Sequence, residues 1–414
     1  MVRPRGGHYP ISIISLSLQL VLRAGISLRG AAAALALFVE QGFASFAVPC
    51  FGSIRSWLLR AGCYALNRPL DRTVPWVWLI DHTVQIGSLK LLVILGCPLA
   101  QVPFGERAAQ LADWQLVALV PMAKSNGAAV KLELVEASKR TGTPAQIASD
   151  QGADLLKGIA DFQIEHRSMI HVPDVAHYAA NVLEKTWSDQ PRWQQFLRDV
   201  HSVGAKLRQT QAAYLLPPLQ RPKARFMNIG AQLRFVRRVL RLLDRPMPHE
   251  KAVQVYGWLR DYRDDLTVWE REHALVETTI ATVRLQGLHS QTLPQLEAAW
   301  GEIGTRESTA RVAEQLCDYV MSYQPATAGT RFVASTEVLE STFGKLKRLE
   351  RDQSRDGITG LTLALGVIVG TSSDADLKEA LDSVPQKQSQ GWIDRNLGKT
   401  MQWLRRQFFQ QTKT

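Results

Sequence analysis

The sequence predicts an α/β protein, a mixed sheet with helical cover, interrupted by a large helical insertion and preceded by a helical module. Three observations carry this. Residues 74–80, 89–95 and 114–121 are short apolar runs separated by turn residues, as consecutive strands are. Helical and strand patterns then alternate up to residue 187. From 188 to 330 the strand pattern disappears and the chain becomes helical, charged and rich in tryptophan. With 414 residues, 46% of them hydrophobic and 21% charged, the chain is long enough for several modules, each with its own core.

Residues 1–70 read as the helical module. Ser27 is placed to cap a helix that runs through the alanine run to Glu40, with Gly42 as its stop. After a turn holding Pro49 and Gly52, Ser53 is placed to cap a short second helix ended by Gly62. Helix, tight connection and helix is the spacing of a DNA-reading helix-turn-helix, with Arg55, Ser56 and Arg60 facing a groove or phosphates. A plain helical hairpin packed on its neighbour has the same pattern.

Residues 71–187 supply the first part of the sheet. Three strands form a meander, with turn-like Gly87-Ser88 after the first. A helix over 128–140 stops at Gly142 and Pro144, a fourth strand over 146–149 leads into Asp150, and helix, strand and helix follow to Trp187. The later strands need crossover helices and so run parallel to their neighbours. The insertion, 188–330, is broken at Leu216-Pro217-Pro218. Most of Trp187, Trp193, Trp258, Trp269 and Trp300 are expected in its core, leaving one free to stack on an unpaired base. Residues 331–385 return with a helix over 335–350, a turn at Asp356-Gly357 and a buried apolar element over 360–370. The basic, amphipathic end, 386–414, is expected to pack on the body.

The formal net charge of +11 favours a polyanionic partner, nucleic acid above all. Cys50, Cys63, Cys97 and Cys317 are scattered without metal or disulfide spacing, which fits a reducing cytoplasm. The apolar stretch over 11–22 is polar-interrupted and too short to span a bilayer, so no membrane role is expected.

Chemistry concentrates in acidic residues. Asp81 closes Trp78-Leu79-Ile80-Asp81 and Asp150 closes Ile147-Ala148-Ser149-Asp150, so each carboxylate is expected at a strand end. A lone aspartate there is ordinarily a turn or cap residue. Two on the first and fourth strands converge if those strands are neighbours. Magnesium takes hard oxygen ligands, and a third is offered by Glu340 on the helix over 335–350, with Glu337 able to substitute. Gly344 and Lys347, four and seven residues on, share its helical face, the glycine leaving room for a close approach. A solvated charged helix reads the same way.

Together these residues resemble the DDE transposases of bacterial insertion sequences, whose RNase H-like core has this order of strands and helices. In that family the first Asp ends the first strand, the second ends the fourth, and a Glu opens a late helix with a Lys seven residues on. Asp81, Asp150, Glu340 and Lys347 fall at those positions, and Asp174 with His177 looks like the Asp-x2-His motif that follows the second Asp in several branches. The Tyr and Arg that precede the Glu in one branch would fall at Val333 and Thr336, a departure. The resemblance implies two Mg²⁺ ions, with Mn²⁺ as a substitute, held by Asp81, Asp150 and Glu340. It also implies a phosphate contact from Lys347, and bracing by Asp174 and His177 unless they are simply a buried hydrogen-bonded pair. The implied partners are double-stranded DNA, as transposon ends and target, and a second copy of the chain. The implied setting is the bacterial cytoplasm, at the nucleoid. An RNase H-like nuclease that cleaves without joining, or a catalytically inactive DNA-binding regulator, uses the same residue pattern.

Overall fold

The computed structural model describes residues 2–84, 89–219, 226–351, 358–370, 373–399 and 401–411. The turns expected at Gly87-Ser88 and Asp356-Gly357 lie outside them. The chain forms two compact units, one from Met1–Pro103, Ala108–Val172 and Thr336–Thr414, the other from Phe104–Arg107 and Pro173–Ser335. The N-terminal helices therefore belong to the same unit as the sheet, and the second unit begins at Pro173, ahead of the insertion start expected at 188.

Three helices open the first unit: α1 (Ile11–Leu22), α2 (Leu28–Glu40) and α3 (Phe51–Asn67). The Ser27 hydroxyl accepts from the Gly30 amide at 3.0 Å, and Gly42 takes a φ of +74° just beyond α2. The short helix from Ser53 to Gly62 is corrected. It is 17 residues long, has Cys50 at its N-cap and runs straight through Gly62. Gly62 is there for packing: a Cβ on it would lie 1.8 Å from the Leu363 carbonyl oxygen. Arg60 is corrected with it. Its guanidinium donates to the Val384 carbonyl at 2.7 Å and to that of Leu381, so it is turned to the protein interior rather than to a groove. Arg55 and Ser56 are half-buried.

The sheet follows: β1 (Trp76–Val84), β2 (Lys90–Pro98), β3 (Gln115–Met122), α4 (Gly127–Thr141), β4 (Gln146–Ser149), α5 (Ala153–Glu165) and β5 (Ile170–Pro173). Its order is β3-β2-β1-β4-β5. The first three strands are an antiparallel meander, and β4 runs parallel to β1 on its other side. First and fourth strands are thus neighbours, the condition under which the two aspartates come to adjacent strands. Trp76, Trp78 and Ile80 of β1 share one core with Leu92, Ile94 and Ile147 of the sheet and with Val130, Leu134, Leu155, Ile159 and Phe162 from α4 and α5. Leu91 to Leu95 of β2 are fully buried whichever way they point, so both faces of the sheet are covered.

The second unit is helical: α6 (Val175–Trp187), α7 (Pro191–Leu207), α8 (Ile229–Leu243), α9 (Glu250–Tyr256), α10 (Arg263–Gln286), α11 (Thr292–Trp300) and α12 (Ala310–Tyr323). Its core is aromatic. The Trp193 ring lies 4.6 Å from that of Trp187 and meets that of Trp269 edge-on at 4.7 Å. Trp187, Trp193, Trp269 and Trp300 are buried, and half-buried Trp258 donates to the Val255 carbonyl, so none of the five is an exposed ring awaiting a base.

Within that core the Glu272 carboxylate accepts from the Trp187 indole at 2.6 Å, and burial pushes its pKa up to about 7 from an ordinary 4.5. A raised carboxyl pKa favours the folded state below the unfolded value. Stability should therefore fall as pH rises from about 4.5 to 7, by roughly 3 kcal/mol, and level off above. Urea unfolding at pH 5 and pH 8 reads this, and Glu272→Gln should flatten the difference.

The chain returns to the first unit with α13 (Glu337–Arg351), a 3₁₀ turn at Gly360–Ala364, α14 (Leu365–Ile368), α15 (Asp374–Ser383), α16 (Gln386–Asn396) and α17 (Met401–Gln411). The 3₁₀ turn, α14, α15 and α16 all pack on α3, which makes α3 the centre of a bundle and not a free reading helix. Trp403, Leu404, Phe408 and Phe409 of α17 remain exposed. Among the described residues no helix is long and apolar enough to cross a membrane.

Candidate active site

The first acidic residue is not where β1 ends. Asp81 pairs with Val93, and the strand continues to Val84 because β2 keeps pairing with it to Lys90. What ends near Asp81 is the pairing with β4, whose last step is Ile80 with Ser149. Asp81 and Asp150 are therefore the next residues on two neighbouring parallel strands, whose backbones are about 5 Å apart.

Side-chain alternation fixes the face. Trp78, Ile80 and Ile147 belong to the core beneath α4 and α5, so Asp81, one residue beyond Ile80 within β1, turns to the opposite face. Asp150 lies just past the end of β4, where its charge acts on His82. On β1 that side carries Val77, Leu79 and Asp81, and α13 packs against β1. The carboxylates are held locally. Asp81 Oδ1 accepts from the His82 amide at 2.6 Å, and Asp150 Oδ1 from the Gly152 amide at 3.0 Å. Gly152 matters for room: a Cβ on it would lie 3.2 Å from Asp150 Oδ1 and 3.3 Å from Asp154 Oδ1, crowding two carboxylate oxygens at once.

Glu340 sits in the first turn of α13. The helix buries Val338, Leu339, Thr342, Phe343 and Leu346 and leaves Glu337, Glu340, Gly344 and Lys347 exposed along one stripe, the shared face that their spacing required. Among the described residues no three His, Cys, Asp or Glu side chains stand close enough together to hold a metal ion. Asp81, Asp150 and Glu340 each offer the hard carboxylate oxygens that magnesium takes. A Cβ on Gly344 would meet nothing within 4 Å. Gly344→Ala should therefore stabilise the helix by about 0.5–1 kcal/mol, seen as a higher urea midpoint at unchanged slope.

Sequence reasoning missed a second cluster on the α5 side of the sheet. His82 alternates to that side from Asp81. Its Nδ1 lies 3.8 Å from Asp154 and its Nε2 3.2 Å from the Ser125 hydroxyl, while Lys90 pairs with Asp154 at 3.3 Å. Burial pushes His82 below its ordinary pKa, against the pull of Asp154. Partial burial would raise Asp154, yet the Ser125 hydrogen bond and the charges of His82 and Lys90 hold it below the carboxylate range. The signal was available in Asp154, four residues beyond Asp150 and in the first turn of α5, where the helix dipole favours an anion. On β5, His171 meets the Ser149 hydroxyl at 2.9 Å and is pushed down to about 4 by burial, so it is neutral at pH 7.

Asp174 and His177 lie in the second unit. Asp174, 2% exposed, caps α6 by accepting from the His177 amide at 2.8 Å, and His177 Nδ1 lies 3.1 Å from the same oxygen. The hydrogen-bonded pair expected as one reading of this motif is present, although His177 is only half-buried.

No family model matches the chain, and no curated protein matches its sequence. Among solved structures, it is similar to a Drosophila P element transposase strand transfer complex, with 11% identity, 91% of each chain covered and a TM-score of 0.39.

Proposed function

We propose that this chain is a DNA transposase of the DDE type, built on an RNase H-like core, with Asp81, Asp150 and Glu340 as its acidic triad. The observation that carries the reading is the register. Asp81 and Asp150 follow Ile80 and Ser149 on neighbouring parallel strands, and the helix that carries Glu340 packs against β1.

The aspartates would hold Mg²⁺, or Mn²⁺ in its place, with Glu340 joining them as the ion is bound. Two such ions supply Lewis-acid stabilisation to the attacking and leaving oxygens of a phosphodiester. The reaction is then two in-line displacements. Water attacks phosphorus at each transposon end and a 3′ hydroxyl leaves. That hydroxyl attacks a target phosphodiester, forming one phosphorus–oxygen bond as another breaks. Lys347, exposed on the stripe of Glu340, is placed to meet a phosphate. Double-stranded DNA is the partner, as ends and target, and two copies of the chain pair the two ends. The insertion sequence and its bacterial setting follow the motif resemblance.

The test is cleavage and joining of labelled duplex carrying the ends of the encoding element, with Mg²⁺ or a chelator, for wild type and Asp150→Ala. Metal-dependent cleavage and joined products from the wild type alone support the reading. Cleavage without joining moves it to a nuclease, and equal activity in both proteins rejects the site.

A further inference from the structure

We infer that α8 of the second unit is a duplex-DNA backbone track, an inference that rests on the transposase reading for its ligand. The helix is two-faced. Leu233, Val236, Val239, Leu240 and Leu243 are buried, whereas Arg234, Arg237, Arg238 and Arg241 are exposed at spacings of three and four, one stripe along the helix. These arginines line a groove of about 340 Å³ whose other wall is α10, with Glu270 and His273.

Internal pairing consumes only part of that charge. Arg237 meets Glu270 at 2.5 Å and Arg234 meets Glu277 at 3.3 Å. Arg238 and Arg241 have no carboxylate within ion-pair distance among the described residues. Four arginines over about 10 Å of helix match a length of duplex that carries about six phosphate charges. A guanidinium fork meets phosphate oxygens with paired donors, and such contacts position the protein without reading sequence. A stripe made only to solubilise the helix has no need of a groove or of four arginines in register.

The experiment is fluorescence anisotropy of the full chain with a labelled mixed-sequence duplex, without divalent metal, over a potassium chloride series. Arg238→Ala with Arg241→Ala should weaken binding by about tenfold and make the slope of log affinity against log salt shallower by about 2, alike for unrelated duplexes. The lysine double variant, Arg238→Lys with Arg241→Lys, should keep the wild-type slope. Both sites are exposed, so thermal unfolding should be unchanged, and a large drop in the midpoint would assign the arginines to the fold and overturn the proposal. Wild-type affinity and slope in the alanine variant also overturn it while leaving the transposase reading intact. A wild type that binds no duplex at any salt overturns both.

Discussion

Asp150→Ala should lower metal-dependent DNA cleavage at least ~10³-fold while leaving the fold and duplex binding in place, a loss of about 4 kcal/mol of transition-state stabilisation. The size follows from the role proposed for the carboxylate. The uncatalysed phosphodiester is attacked very slowly, and a site that only positions charge loses most of its effect when one positioning group goes. The fold should survive because Asp150 lies just beyond β4, outside the hydrophobic cluster, and its carboxylate accepts from the Gly152 amide at 3.0 Å in the loop that follows. Single-turnover cleavage with saturating enzyme reads the chemical step apart from binding. A variant that still cleaves within tenfold of wild type would remove Asp150 from the site.

Gly62→Ala should be the most destabilising small substitution in the first unit, by about 3 kcal/mol or more. The added methyl would sit 1.8 Å from the Leu363 carbonyl oxygen and 2.5 Å from its carbon, and those atoms are backbone. Overpacked cores cost about 1–3 kcal/mol when side chains can shift, and more when they cannot. Moving Leu363 means moving the 3₁₀ turn at Gly360–Ala364, every residue of which is buried. The outward gain in helix propensity from Gly to Ala, about 1 kcal/mol, is too small to offset this. Urea unfolding should show a lower midpoint than wild type, in contrast to the rise expected for Gly344→Ala. A neutral Gly62→Ala would mean that α3 and this turn do not pack as described.

Gly42 and Gly62 show where sequence reasoning succeeds and where it stops. Each ends a helical pattern in the sequence, and composition treats them alike. At Gly42 the local rule works: the residue follows the last helical turn and adopts the left-handed conformation a stop requires. At Gly62 the same residue type was read as a stop, because nothing within a few positions reveals that residue 363 will lie against it. Arg60 fails for the same reason. Its donors were assigned to DNA, and they are taken by the carbonyls of Leu381 and Val384, more than three hundred residues away in the chain.

The acidic site divides similarly. The residue types, the apolar runs leading into Asp81 and Asp150, and the helical stripe of Glu340, Gly344 and Lys347 are local properties, encoded in periodicities of 2 and 3.6 that need no partner to be read. Strand length is not local. Asp81 looked terminal because the apolar run stops there, but β1 extends to Val84 because β2 continues to offer hydrogen bonds as far as Lys90. Likewise the cluster of His82, Lys90, Ser125 and Asp154 draws on β1, β2, the loop before α4 and the start of α5, and only the closed sheet gathers them.

The sequence by itself determined the order of elements, most helix ends and the candidate acids, because these follow from side-chain period, capping chemistry and crossover geometry; the pairing of the first and fourth strands came from the sheet. Tertiary structure decided that the N-terminal helices join the C-terminal ones in one bundle, that α3 is a core helix, and that Asp174 caps α6 through the His177 amide. Each of those depends on contacts between residues far apart in the chain, or on side-chain placement that a periodicity leaves open, and packing alone selects among the possibilities.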